Sequence, residues 1–92
     1  MALNHTTVTL GTTAKPIITV PTGQRKVEFN ISNNDTSNDV FIGAKTVTST
    51  GTTQGFKIPK NTNVQINVDG GDTIYGVGSA GTPTVSVLWF GN

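Results

Sequence analysis

Between Lys26 and Ser32 the chain alternates without exception: Val27, Phe29 and Ile31 are apolar, and Lys26, Glu28, Asn30 and Ser32 are polar. Successive side chains of a β-strand point to opposite faces, so an extended run buries one of these sets and wets the other. A helix would scatter the three apolar residues over opposite sides of its cylinder. The same period of two returns in Val8/Leu10, Phe56/Ile58, Val64/Ile66/Val68 and Val85/Val87/Trp89. Residue usage agrees with it: ten Val and seventeen Thr stand against three Leu, four Ala, one Glu and one Met, so strand formers far outnumber helix formers.

Turn chemistry punctuates these runs. A strand over His5 to Leu10 is broken at Gly11-Thr12-Thr13. A second follows Pro16 and ends at Val20, before the turn Pro21-Thr22-Gly23. Asn33 to Asp39 is a loop of Asn, Asp, Ser and Thr, whose short polar side chains bond their own backbone. Val40-Phe41-Ile42 is a short strand stopped by Gly43, and Lys45 to Gln54 reads as an extended connection in which Val47 alone is apolar. Strands over Gly55 to Ile58 and Val64 to Val68 flank Pro59-Lys60-Asn61-Thr62-Asn63, and Asp69-Gly70-Gly71-Asp72 turns the chain into Thr73 to Val77. The last strand runs from about Pro83 to Phe90, apolar on both faces towards its end. About eight short antiparallel strands in 92 residues predict an all-β domain, a small β-sandwich or jelly-roll-like barrel. One domain spans 1–92, its body at 25–91, and 1–21 is either a set of first strands or an extended arm that pairs with a neighbour.

Charged residues make up 12% of the chain, about half the roughly 25% usual for soluble domains. Six Lys and Arg against five Asp and Glu give a net charge of +1, too little field to hold nucleic acid. No run approaches the length of an apolar membrane helix, and the first residues do not read as a secretory leader, so neither membrane nor export is expected. Cysteine is absent, which removes disulfides and thiolate metal sites.

No constellation of reactive residues emerges. Gly76-Val77-Gly78-Ser79-Ala80-Gly81 matches the dinucleotide fingerprint letter for letter, but Thr82 to Val85 is strand material where a helix N-terminus would have to receive the phosphates. Ser79 lacks the glycine two residues before it that a nucleophile elbow needs. His5 is the sole histidine and has no partner in sight for a triad or for zinc. Glu28, Asp35, Asp39, Asp69 and Asp72 fit no calcium-loop spacing. The expectation is therefore no catalytic residue, no cofactor and no metal.

Arg25-Lys26 leading into a strand that ends at Asn33, then Val40-Phe41-Ile42-Gly43, Gly55 with its apolar pair, Asp72-Thr73-Ile74-Tyr75-Gly76, and Gly81-Thr82 before Val85-Ser86-Val87-Leu88 form an ordered set. That set resembles small accessory virion proteins of tailed bacteriophages, of the capsid-decoration and head-fibre-base type. Position 41 is Phe where the resemblance leads one to expect Tyr. The resemblance implies a non-enzymatic structural protein, made in the host cytoplasm, that cements the outside of a capsid. Its partners would be the lattice of major capsid protein and copies of itself, with a trimer favoured. Leu3, Val8, Leu10, Trp89 and Phe90, apolar residues near the two ends, are the candidate contact surface, with core burial the competing role for all but Leu3. Other readings are a carbohydrate- or receptor-binding module, with Phe41, Phe56, Tyr75, Trp89 and Phe90 as aromatic platforms, and a tail or connector component.

Overall fold

The computed structural model describes residues 2–20 and 27–91. Eight strands follow one another: β1 (Ala2–Thr9), β2 (Lys15–Thr19), β3 (Val27–Asn33), β4 (Val40–Gly43), β5 (Phe56–Ile58), β6 (Thr62–Val68), β7 (Thr73–Gly78) and β8 (Thr84–Gly91). They form two four-stranded sheets, sheet A in the order β1-β8-β3-β6 and sheet B in the order β2-β7-β4-β5. Every pairing within the sheets is antiparallel. Consecutive strands β1 and β2, β3 and β4, β5 and β6, and β7 and β8 lie in opposite sheets, which is the winding of a jelly roll. The expected fold class is the observed one.

The inward faces follow the period of two. Val27, Phe29 and Ile31 of β3 and Val85 and Val87 of β8 meet Ile17, Val40, Ile42, Ile58 and Ile74 from sheet B, with Leu10 and Val20 closing the space between the sheets. Trp89 packs against this cluster, its ring 5.6 Å from that of Phe29 and tilted by 51°. Tilted aromatic pairs of this kind add to the burial of their apolar area.

The first segment is part of the body. β1 pairs with β8 along its whole length, from Ala2 opposite Gly91 to Thr9 opposite Thr84. Leu10 donates its N–H to the Pro83 carbonyl (2.8 Å), and Gly78 donates to that of Gly11 (2.7 Å). β2 lies on β7. Within this chain, residues 2–9 and 15–19 thus pair as strands of its own two sheets. The turn Pro21-Thr22-Gly23 and the pair Arg25-Lys26 lie outside the described residues.

The stretch from Ala44 to Gly55 is more than an extended connection. A 3-10 turn at Gly51–Thr53 and a bridge between Thr48 and Gln54 curl it, and Val47 packs with Phe41 and Val77 on the outer side of sheet B, joined by Ala14 and Tyr75. Gly55 has no room for a side chain, since a Cβ there would lie 2.4 Å from the Val47 Cγ2 and 2.5 Å from the Ile42 carbonyl oxygen. The excursion thus forms a lid over the outside of sheet B.

Candidate assembly surface

The proposed contact residues do not converge. Leu10 is 1% exposed and belongs to the core between the sheets, as its inward phase with Val8 dictates. Val8 and Trp89 are half-buried against the same core. Core burial, the competing role, therefore describes Leu10, Val8 and Trp89. Leu3, by contrast, is 59% exposed on the outer face of sheet A. The side chain of Phe90 lies outside the described residues, and its backbone, on β8, pairs with that of Leu3 on β1. Leu88, also on β8, is 42% exposed. The sequence shows the C-terminal half of this strand to be apolar on both faces, and among the described residues no element covers Leu88.

Among the described side chains, the aromatic residues do not gather on one face. Trp89 turns into the sandwich, while Phe41 and Tyr75 lie with Val47 on the other side of sheet B. Phe56, 62% exposed, stands at the rim between β5 and β6.

The dinucleotide-like motif is spent on packing. A Cβ on Gly76 would meet the Ile17 Cδ1 at 2.5 Å, and one on Gly78 would meet the ring of Pro83 at 2.5 Å. Gly81 takes a left-handed φ of 64° in the turn before β8. The Asn/Asp loop is likewise occupied with its own hydrogen bonds. Asp35 accepts from Asn38 Nδ2 (2.8 Å) and from the Thr36 N–H (2.9 Å). These bonds, that from Asn38 first, hold the Asp35 carboxyl below its ordinary value against a smaller opposing effect of desolvation. Asp39 accepts from the Lys60 N–H at 3.2 Å and lies 3.5 Å from the Lys57 ammonium. His5 lies exposed on β1 beside a shallow depression of about 320 Å³ on the outer face of sheet A, lined also by Asn30, Ser32, Asn63, Ser86 and Leu88.

What distinguishes the two sheets is the treatment of their edges. An edge strand offers unpaired N–H and C=O groups to any passing chain, and proteins blunt such edges with short strands, lysine, proline or bulges. Sheet B uses every one of these devices. Its edge strand β2 carries Lys15 and Pro16, and its register shifts between Pro16 and Ile18. Its other edge, β5, is three residues long, contains Lys57 and runs into Pro59. Sheet A uses none. β1 runs for eight residues and β6 for seven, in unbroken register with their neighbours, without proline and without Lys, Arg, Asp or Glu. The missing Lys and Pro could be read in the sequence, but their meaning depends on strand order, which the sequence did not reveal.

On the β6 side the sandwich is also open. Ile42 and Phe56 from sheet B, Ile66 and Val68 from β6, and Ile74 line an apolar groove of about 520 Å³. Val64, Ile66 and Val68 reach the core but remain half-buried, and among the described residues no strand flanks β6 on that side.

No family model matches the chain, and no curated protein matches it. Among solved structures it is similar to a protein described in "Bacillus endospore appendages form a novel family of disulfide-linked pili". The superposition has a TM-score of 0.56 at 16% identity and covers 99% of this chain and 88% of the other. At that identity the likeness is one of fold. The neighbour is a bacterial endospore appendage and not a phage protein, which corrects the expectation of a capsid-decoration protein on a virion. No contact with a capsid lattice is supported.

Proposed function

We propose that this chain is a non-catalytic structural subunit that assembles with copies of itself. The observation that carries this reading is the contrast between the edges: sheet B is guarded at both sides, and sheet A is left open at both sides by long, uncharged, regular strands. A chain that stayed alone in solution would carry two aggregation-prone ladders for no return. The fold likeness supports the same reading, since the Bacillus protein is a pilus component. The pili of that protein are disulfide-linked, whereas this chain has no cysteine. Its copies are joined by backbone ladders and apolar contact alone, and their association is reversible.

A single strand-to-strand contact is small beside the roughly 1,000 Å² that a stable interface needs, so assembly depends on concentration and on repetition of the contact. Light scattering over a dilution series, with electron microscopy of the concentrated sample, tests this. Particles that grow with concentration and dissolve on dilution are the expected result. A strict monomer at millimolar concentration overturns the reading.

A further inference from the structure

Resting on that reading, we infer that the contact is heterologous, with β6 of one copy pairing antiparallel to β1 of the next, so that sheet A continues from molecule to molecule as an open-ended ribbon. Direction allows it without any rotation of the second copy. β1 is antiparallel to β8, β8 to β3, and β3 to β6, so β6 runs opposite to β1. A copy displaced along the sheet therefore brings an antiparallel β1 beside β6.

Length and level agree as well. Following the register across the sheet, Asn4, Trp89, Phe29 and Ile66 share one inward row, and Thr6, Val87, Ile31 and Val64 share the next. On the outer face, Thr7, Ser86, Ser32 and Asn63 share a row, as do His5, Leu88, Asn30 and Gln65. Continued straight into a neighbour, these rows set its Thr7 beside Asn63 and its His5 beside Gln65. Such pairs of amide, hydroxyl and imidazole groups hydrogen-bond across strands, and no like charges meet. The strand from the neighbour also flanks Val64 and Ile66, the side chains left half-covered at the rim of the groove.

Symmetry decides between this and the alternatives. A twofold β6–β6 or β1–β1 dimer would cover one open edge and leave the other, equally long and equally unguarded, in water. A single heterologous contact satisfies both. Because displacement without closure repeats indefinitely, the product is a filament, not a ring or a trimer.

The absence of native cysteine makes the contact directly readable. Thr7 and Asn63 are exposed and point away from the core, so Thr7→Cys and Asn63→Cys leave the fold intact. The two single variants are mixed at an assembling concentration and treated with a short bis-maleimide. Cross-linked Thr7→Cys/Asn63→Cys heterodimers should exceed both homodimers several-fold, and the double variant should give a ladder of oligomers. A charge version needs no cross-linker: Thr7→Lys with Asn63→Lys should abolish scattering, and Thr7→Lys with Asn63→Asp should restore it. Predominant homodimers overturn the heterologous contact. Particles that form without cross-linking, and that ignore the charge pairs, also overturn it while leaving self-assembly standing. Monomers of the unsubstituted protein at every concentration overturn both.

Discussion

At the residue scale, the fold leans on one buried polar side chain. Asn33 is 0% exposed and fully used. Its Nδ2 donates to the carbonyls of Asn38 and Ile58, both at 3.0 Å, and its Oδ1 accepts from the Asp35 N–H at 3.0 Å. One amide thus ties the end of β3 to the loop before β4 and to β5. Asn33→Ala strands three backbone groups, the Ile58 carbonyl buried and the other two part-buried, and should lower unfolding free energy by about 2–3 kcal/mol in a denaturant titration. Glycines give a sharper contrast. At Gly55 a Cβ would press on a backbone oxygen that cannot move away, whereas at Gly76 it would press on the tips of Ile17 and Leu10, which can turn aside. Gly55→Ala should therefore cost about 2 kcal/mol or more, and Gly76→Ala distinctly less, by the same titration. Asp35 links the loop to pH. Its carboxyl is held below the ordinary 3.8, so the ionised form is favoured by folding. That contribution is complete above the ordinary value and disappears as pH falls through the lowered one. Melting temperature should drop in this acid range for the natural protein, and Asp35→Asn should flatten the drop.

At the element scale, the lid of residues 44–55 is held by the small cluster of Val47, Phe41 and Val77, separate from the main core. Val47→Ala should cost about 2 kcal/mol and speed amide exchange in this excursion ahead of the strands. The lid also shows where the sequence stops being readable. β3 is plain because Val27, Phe29 and Ile31 meet a core on one face and water on the other, whereas β4 and β7 are covered on both faces and are legible from the turn residues that bound their short apolar runs. β1 was read from His5 and begins at Ala2, because Leu3 points outward and Asn4 inward, the reverse of the usual pattern. A single Val among Thr, Ser and Gly has no period, so nothing local announced that Val47 would cover Phe41. Strand order was hidden for a related reason: β8 lies between β1 and β3, far from both in sequence, and only long-range pairing decides it. Period two already offers core burial for Leu10 and Trp89 beside a contact role, and the structure buries Leu10 and half-buries Trp89, while the telling features of β1 and β6 are the residues they lack.

At the scale of the whole molecule, the forces available for association are narrow. With no Lys, Arg, Asp or Glu within β1 or β6, and Lys15 touching only the last carbonyl of β1, salt has little to screen there. Raising ionic strength to about 1 M, where the screening length falls to about 3 Å, should leave the scattering threshold within about twofold of its low-salt value. A steep salt dependence would implicate Lys15, Lys57 or Lys60 instead.

The Val47 lid reaches further than the stability of one subunit. Because it roofs sheet B and leaves the outside of sheet A bare, a ribbon of these subunits has a front and a back that differ in texture. The back is knobbed with loops and resists lamination. The front carries the hydroxyls and amides of Thr7, Asn30, Ser32, Asn63 and Ser86 with His5 and Glu28 among them, and Leu3 and Leu88 would recur along it once per subunit.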